Sequence, residues 1–307
     1  MTPLSKPLSK HLDKIVLLLS FGVLSAALYF VYAYHLSGSK KETIRSLDNA
    51  LLLTKNMLEE EKSHALSLSL MLSQDQAFLR AYQDNNRARV NTIIQRKINR
   101  LEAQQGYRFE VQIHDAQIRT YLRSWDYNIT GVPLTAFRSG IVQVKRTRKP
   151  VVSVEVGKRL NIKAISPIML DGRYAGSVEV IEGFSRIEHK LAREGYTLFV
   201  LLNKRYLNIA TTLRTHPVLQ HRYVLVNNDR RKEALEALSS ADLSQLGRYG
   251  YFGGGQTAFA YFQISDLHNN EMGYFIIAMA SPTLSALPDY HESRFNDVNN
   301  SGEVIIR

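Results

Sequence analysis

Residues 155–184 of this 307-residue chain read EVGKRLNIKAISPIMLDGRYAGSVEVIEGF, and their pattern is typical of antiparallel strands. Apolar and polar residues alternate on both sides of Asp171-Gly172, a dipeptide that favours a two-residue hairpin turn. With the residues just before them, they predict strands over 151–156, 160–169 and 174–181. One face of these strands is apolar and is expected to form a core: Val152, Val154, Val156, Leu160, Ile162, Ala164, Val178 and Val180.

The opposite face of the same strands carries Glu155, Lys163, Ser177 and Glu179. A lysine between two glutamates on neighbouring strands is most simply an exposed cross-strand pairing. The alternative is the wall of a polar pocket, because a sheet covered by a long helix on one side and by loops on the other leaves a cavity. The sequence leaves both interpretations open.

A single apolar run, residues 15–34, lies upstream and has the length of helix that crosses a bilayer core. Lys6, Lys10 and Lys14 precede it, so the positive-inside rule predicts a cytoplasmic N-terminus and an extracytoplasmic remainder. A cleaved secretory signal is the alternative, with Ser25 and Ala26 among its small residues. The run is longer than a signal core, which favours an uncleaved anchor and a single-pass protein of the inner (cytoplasmic) membrane.

Helical patterns fill the region between the apolar run and the first strands. No Gly or Pro occurs from residue 41 to 82, and apolar residues recur at helical spacing, which predicts a rod rising from the membrane. A polar break at residues 84–86 precedes a second helix that ends at Gly106. Residues 107–114 alternate as a strand, 115–130 are predicted as a loop, and Pro133 is placed in the first turn of a helix reaching Thr147.

A second, smaller group of elements follows the first strands. Residues 184–194 are predicted as a connecting helix, 197–211 as two strands turning at Asn203-Lys204, and 223–226 as a short strand. A helix is expected over 229–246, strands over 251–264 and 272–280, and a frayed helix and tail over 287–307. These elements indicate a second antiparallel sheet.

Composition restricts the chemistry of the chain. There are no cysteines, so disulfides and thiolate metal sites are excluded. His216 and His221 are five residues apart, but the sequence offers no third metal ligand near them. The sequence has no nucleophile elbow, zinc-protease pair or phosphate loop, so we predict no enzyme activity, no cofactor and no metal. The net charge of +11 is spread along the chain, which favours anionic headgroups or an acidic small ligand over nucleic acid.

Residues 155–184 resemble the closing strands of a Cache domain, with Pro167-Ile168 at the end of one strand and a glycine-containing return strand. With the preceding helix and the second group of elements, residues 40–290 are similar to a double Cache sensor domain, as found in bacterial chemoreceptors, sensor histidine kinases and diguanylate cyclases. The resemblance implies an α+β fold: a transmembrane helix, a long membrane-emergent helix and two PAS-like modules, each with an antiparallel sheet.

The implied division is a cytoplasmic tail (1–14), a transmembrane helix (15–35), a long helical region (36–105), a membrane-distal Cache module (106–183), a membrane-proximal Cache module (184–286) and a C-terminal helix or tail (287–307).

Double Cache sensors usually bind a small metabolite in the distal module, and an amino-acid-binding branch of the family uses an Arg-x-Trp-Tyr segment. Arg123 and Trp125 match the first part of that segment, but Asp126 follows, Tyr127 lies one place late and Ile118 replaces the upstream tyrosine. An amino-acid ligand is therefore not supported. The resemblance implies a branch that binds other small molecules, often carboxylates.

The residue types also predict a carboxylate pocket. The planar guanidinium of Arg123 can pair with both oxygens of a carboxylate, and the indole of Trp125 can pack on the ligand and exclude water. The predicted ligand-binding residues are Arg123, Trp125, Tyr121, Tyr127, Arg138, Lys163, Glu155 and His114. The alternatives are a structural pairing of Arg123 with Asp126 or Glu155, a core role for Trp125 and a structural role for His114.

Two functions follow from these predictions. The first is a membrane-anchored extracytoplasmic sensor that binds a small carboxylate-type anion and shifts the long helix in signal transduction. The second is an envelope accessory or structural protein whose Cache-like modules bind a protein partner.

The sequence ends without a second span or output domain, so we expect a separate kinase, cyclase or chemoreceptor partner, or a shortened receptor. A homodimer along residues 47–79 is also expected, unless the chain's own sheet covers that leucine-rich face.

Overall fold

The longest element of the protein is helix α1 (Pro7–Ser73), which runs without interruption from the apolar run into the predicted rod. The structure, a computed structural model, describes residues 7–227, 232–254 and 256–281. Within these ranges, Lys14–Tyr34 is the one helical segment long and apolar enough to cross a membrane, and none of it is buried inside the protein. The predicted C-terminal helix or tail over 287–307 lies outside the described residues.

Two shorter helices, α2 (Gln76–Gln83) and α3 (Arg87–Gln105), fold back beside α1. The Asp75 carboxylate caps α2 by accepting a hydrogen bond from the Phe78 amide at 2.8 Å, and the Asn86 side chain caps α3 in the same way. Gly106 ends α3 with a φ of +74°, a left-handed conformation that glycine adopts without steric cost. The predicted break at 84–86 and the helix end at Gly106 are confirmed.

The first sheet contains β1 (Glu110–Asp115), β2 (Thr120–Arg123), β3 (Val151–Val156), β4 (Leu160–Leu170) and β5 (Arg173–Glu182). Its strand order is β2-β1-β5-β4-β3 and every pairing is antiparallel. Strands β4 and β5 turn at Asp171 and Gly172, whose φ angles of +49° and +73° fit the tight turn that this dipeptide favours. The predicted hairpin is confirmed.

Helix α4 (Ser139–Thr147) connects β2 to β3, and it is shorter than the sequence predicts. The helix predicted from Pro133 was wrong in its first turn, because that segment is extended against residues 118–120. The Thr120 amide donates to the Val132 carbonyl at 2.9 Å, and the Leu134 amide donates to the Ile118 carbonyl at 3.1 Å. These backbone bonds require an extended chain, so the helix begins only at Ser139.

Helix α5 (Ser185–Arg193) leads to the second sheet, which has the order β7-β8-β6-β11-β10-β9. Its strands are β6 (Thr197–Asn203), β7 (Val218–Leu219), β8 (Tyr223–Leu225), β9 (Tyr249–Gly254), β10 (Thr257–Ser265) and β11 (Glu271–Ala280). Helix α6 (Lys232–Ser240) precedes β9 and ends before the predicted end at 246, while positions 229–231 of the predicted helix lie outside the described residues.

Two predicted strands of this second sheet were wrong. The strand expected after Asn203 is replaced by 3-10 helices over Lys204–Asn208 and Thr211–Leu213, because the Asn203 side chain accepts a hydrogen bond from the Arg205 amide at 3.1 Å and tightens the turn. The single strand expected over 251–264 is instead the hairpin of β9 and β10.

Helix α1 packs on one face of both sheets. The Tyr251 hydroxyl donates to the Asp48 carboxylate at the second sheet, and Ser69 lies 2.7 Å from Ser166 at the first sheet, measured between their hydroxyl oxygens. The eight apolar residues predicted to share a core face are all buried in the core under α1. The leucine-rich face of α1 is buried there too, including Leu47, so the sheets cover the face expected to mediate a homodimer.

Candidate functional site

The face of the first sheet turned away from α1 carries a cluster of polar side chains, which we call the polar cluster. Strand pairing arranges these side chains in rows. Across β2, β1 and β5 the rows are Arg123, Gln112 and Glu179, and then Thr120, His114 and Ser177. Across β3 and β4 the paired residues are Ser153 with Lys163 and Glu155 with Asn161. All ten residues are buried. The interpretation of Lys163 and the glutamates as an exposed pairing was therefore wrong. Helix α4 packs on this face through Ile141 and Val144.

Two carboxylates in the cluster are held by Arg138, the residue that precedes α4. Its guanidinium donates to Oε1 of Glu179, and its Nε lies 3.7 Å from Oε2 of Glu155. The Ser153 hydroxyl donates to Oε1 of Glu155 at 2.9 Å. Any side chain at Gly140 would clash with Oε1 of Glu155, so glycine at this position lets α4 approach the carboxylate. Arg138 therefore has partners from two strands before any ligand is present.

His114 lies beside the same carboxylates and is fully buried. Its Nδ1 is 2.9 Å from the Ser177 hydroxyl, and its Nε2 is 3.4 Å from Oε2 of Glu179 without forming a hydrogen bond. Burial lowers the pKa of His114 and outweighs the opposing effect of Glu179, so the imidazole is neutral. Burial alone would raise the pKa of Glu179, but Arg138, His114 and Lys163 together hold it well below its usual range.

Arg123 is a largely buried cation that makes no direct ion pair with the described residues. Only 7% of its surface is exposed, and it makes no hydrogen bond or ion pair with any residue in the described part of the chain. The guanidinium carbon lies 5.9 Å from the centre of the Trp125 ring, within range of a cation–π interaction. Arg123 thus makes no contact ion pair with Asp126 or Glu155, although burial lowers its pKa and the charge of Asp126 opposes that effect from a longer distance.

Lys163 is the second such cation, with 3% of its surface exposed. It forms no ion pair or hydrogen bond with any residue that the structure describes, and the carboxylates of Glu179 and Glu155 act on it only at longer range. Burial, helped by the positive charge of Arg138, lowers the pKa of Lys163 to about 8. At neutral pH the cluster thus holds three cations, Arg123, Arg138 and Lys163, against the two carboxylates of Glu155 and Glu179.

Three aromatic residues predicted to bind ligand lie at the edge of the cluster or outside it. Trp125 is 40% exposed, so the alternative core role was wrong. Tyr121 packs edge-on against Tyr82 of α2 with ring centres 4.8 Å apart, and the Tyr127 ring lies under the Arg87 guanidinium at 4.2 Å. Both tyrosines therefore face the helices.

The position of Tyr121 follows from an irregularity in strand pairing. Ile113 pairs with Leu122, but the next residue, His114, pairs with Thr120, which leaves Tyr121 without a partner. Strict alternation would place Tyr121 on the same face as Arg123, and the extra residue breaks that alternation. Of the predicted ligand-binding residues, the structure thus brings together Arg123, Arg138, Lys163, Glu155 and His114, with Trp125 beside Arg123. Tyr121 and Tyr127 lie outside this group.

Glu179, Gln112 and Ser177 belong to the cluster but are absent from the predicted ligand-binding residues. Alternation along β5 already placed Glu179 and Ser177 on the polar face, so that signal was present. Gln112 could have been found in the same way, because it lies two residues before His114 in a strand. Alternation shows on which face each of these residues lies. It does not show whether that face is buried, because burial depends on what covers the sheet.

A family model of the double Cache type, dCache_3, described as "Double sensory domain of two-component sensor kinase", matches residues 40–281. No curated protein matches the chain significantly.

Similar solved structures include three bacterial sensor domains, which this chain resembles at low identity. The sensor domain of the V. cholerae histidine kinase DctB has a TM-score of 0.46 at 10% identity, with 78% of this chain and 98% of that chain covered. A sensory box/GGDEF family protein from Vibrio parahaemolyticus has a TM-score of 0.46 at 12% identity, covering 82% and 99%. The Campylobacter jejuni chemoreceptor Tlp3, in complex with L-valine, has a TM-score of 0.46 at 12% identity, covering 82% and 98%.

Proposed function

This chain belongs to the dCache_3 family of double sensory domains, and on that premise we propose that it is a membrane-anchored sensor of a small carboxylate-type anion. The anion binds in the polar cluster of the first sheet. Lys14–Tyr34 anchors the chain in the inner membrane as a single span, with the N-terminus in the cytoplasm and the two sheets outside it.

The observation that carries this proposal is the pair of largely buried cations, Arg123 and Lys163, that make no direct ion pair or hydrogen bond with the described residues. A cation removed from water gains little from carboxylates that act on it only at a distance, so a ligand that contacts it directly is favoured. The Nε of Arg123 has no acceptor, and the ammonium of Lys163 offers three donors. A carboxylate supplies acceptor oxygens for both, and it brings the direct negative contact that neither cation has.

The cluster residues take different roles in this proposal. Arg123 pairs with the carboxylate through its planar fork, and Trp125 excludes water from that pair. Lys163 provides a second positive charge. Arg138 is already engaged by Glu155 and Glu179, so it positions those side chains and does not itself recognise the ligand.

The geometry also supports a route for the signal. Strands β4 and β5 carry Lys163 and Glu179 toward the ligand, while Ser166 on the other face of β4 contacts Ser69 of α1. A ligand that favours one packing of these strands would bias the position of α1, and hence of the span. Ser69 lies about 50 Å along the helix from Tyr34, which supports a membrane-distal location for this module. We propose that the signal passes to a separate kinase, cyclase or chemoreceptor.

Thermal unfolding of the full-length chain in detergent tests the proposal against a panel of organic acids and amino acids. We expect at least one carboxylate to raise the unfolding midpoint, because a ligand that binds only the folded state stabilises it. Replacing Arg123 by Gln should weaken binding of that compound about 100-fold, since a charge-assisted fork is lost. The ligand-free midpoint should stay the same or rise, because an unpaired buried charge is removed.

Arg119→Gln is the matched control, because Arg119 lies in the same region but is exposed. The control should bind the compound as tightly as the parent. If no acid raises the midpoint, or if Arg123→Gln binds as well as Arg119→Gln, the proposed anion site is wrong. Binding of a purified envelope protein without any small-molecule effect would favour the accessory function instead.

A further inference from the structure

Residues 121–127, which we call the recognition segment, begin in β2 and then leave the first sheet. The segment includes Arg123 and Trp125. The Ser124 amide still donates to a carbonyl of β1 at 2.9 Å, but residues 125–130 form a loop that lies outside the strands. A loop in this position needs contacts from outside the sheet to keep one conformation.

Arg87, the first residue of α3, contacts the recognition segment at both of its ends. Its Nε donates to the Tyr121 carbonyl at 2.8 Å, and its Nη2 donates to the Tyr127 carbonyl. The guanidinium carbon also lies 4.2 Å from the centre of the Tyr127 ring, within range of a cation–π interaction. One side chain thus bridges two carbonyls that lie on either side of Arg123 and Trp125.

A second side chain of α3 contacts the recognition segment two turns further along the helix. The Gln95 side-chain amide donates to the Ser124 carbonyl. The helix that carries both donors is fixed in place by three buried side chains, Val90, Ile94 and Ile98. Because a closely packed helix moves little, its donors hold three carbonyls of the recognition segment in place.

The start of a helix is an unfavourable place for a positive charge, because the helix dipole is positive there. The first turn of α3 nevertheless contains Arg87 and Arg89 and no acidic residue. The charge of Arg87 therefore does not stabilise its own helix. Its contacts with the recognition segment account for this residue, because carbonyl oxygens and the face of an aromatic ring both attract a cation.

We infer that Arg87 and Gln95 are positioning residues for the proposed anion site, because they order the recognition segment before an anion arrives. The inference rests on the proposed function, in which Arg123 and Trp125 contact the anion. A site that is formed for only part of the time binds correspondingly more weakly. Loss of these contacts should therefore loosen the segment and weaken anion binding.

The test measures the order of the recognition segment in the full-length chain in detergent, without added carboxylate. Trp125 is the only tryptophan and is 40% exposed, so its quenching by acrylamide reports on this segment. We expect Arg87→Gln to raise the Stern–Volmer quenching constant at least about 1.5-fold, because a loosened loop opens more often. Hydrogen exchange of peptides covering residues 121–129 should accelerate roughly tenfold, since two hydrogen bonds to the segment are lost.

Three further variants isolate the contacts responsible. Arg89→Gln is the matched control, because Arg89 is exposed on the same turn of α3 and loses the same charge, and it should match the parent. Arg87→Lys keeps the charge but has no planar fork to bridge two carbonyls, so it should loosen the segment as Arg87→Gln does. Gln95→Leu removes one hydrogen bond and should accelerate exchange by only about threefold.

Circular dichroism of each variant establishes that it is folded. The inference is wrong if Arg87→Gln matches Arg89→Gln in either measurement, or if Arg87→Lys behaves like the parent. It is also wrong if exchange accelerates equally in β4 and β5, because the whole first sheet would then be less stable and the effect would not be specific to the segment. No carboxylate is added, so this experiment decides the role of α3, whereas the thermal unfolding panel decides the anion site.

Discussion

The two sheets share an architecture but differ in the face turned away from α1. In the first sheet that face carries charged groups, and several of their polar atoms, such as Nε of Arg123 and Oε2 of Glu179, lack a hydrogen-bond partner among the described residues. In the second sheet it carries packed aromatic rings under α6, among them Phe252 and Phe259, stacked with ring centres 4.7 Å apart. Rings of this size fill the space between sheet and helix by themselves. The charged face is left with unmet donors, and this difference locates the proposed ligand site in the first sheet.

The largest effect is expected from Arg138→Met in the first sheet. This variant leaves Glu155 and Glu179 buried without their cation, and we expect it to lower the free energy of unfolding by about 3–5 kcal/mol. Chemical denaturation followed by the fluorescence of Trp125, the only tryptophan, measures the change. Arg119→Met, at an exposed position, should change it by less than about 0.5 kcal/mol. A loss below about 1 kcal/mol for Arg138→Met would mean that the carboxylates do not depend on this arginine.

The pH dependence of ligand binding tests whether Lys163 of the first sheet contacts the ligand. The pKa of Lys163 is lowered to about 8, so the ammonium is charged below that pH and neutral above it. Affinity for a carboxylate should be full below pH 8 and fall up to tenfold per unit as the pH rises. Calorimetric titration between pH 7 and 9.5 measures this, and Lys163→Arg should bind independently of pH. A parent protein with constant affinity over this range would exclude a role for Lys163.

Ligand-free stability should change with pH in the opposite direction. The pKa of Lys163 is lower in the folded protein than its ordinary value of 10.5, so the unfolded chain holds more protons between these values. The free energy of unfolding therefore gains a contribution from Lys163 as the pH rises from about 8 to 10.5. Denaturation of the parent and of Lys163→Met over this range isolates that contribution.

The smallest expected effect lies in the second sheet. The Tyr274 hydroxyl donates to the Leu246 carbonyl at 3.2 Å, and Tyr274→Phe removes that bond while keeping the ring. We expect a loss of about 1 kcal/mol in the free energy of unfolding and no change in carboxylate affinity. Loss of carboxylate binding in this variant, with the fold intact, would place the ligand in the second sheet and reverse the comparison.

Local patterns predicted much of the fold because they depend on neighbouring residues alone. The hairpin at Asp171-Gly172, the helix break at 84–86 and the alternation that assigned the core face are of this kind. Predictions failed where a side chain or a distant strand intervened. Pro133 was assigned to a helix, but residues 118–120 hold that segment extended, and the Asn203 side chain converts an expected strand into a 3-10 turn. The predicted module boundaries stay predictions.

For the candidate site, the spacing of two along a strand was enough to put Glu155, Lys163 and Glu179 on one face. Length and composition were likewise enough to predict a helix that could cross a membrane. The burial of the polar face, and the absence of a direct ion pair at Arg123 and Lys163 within the described part of the chain, came from the three-dimensional fold. Burial and partnership depend on which distant segments cover a surface, and alternation within a strand carries no information about them.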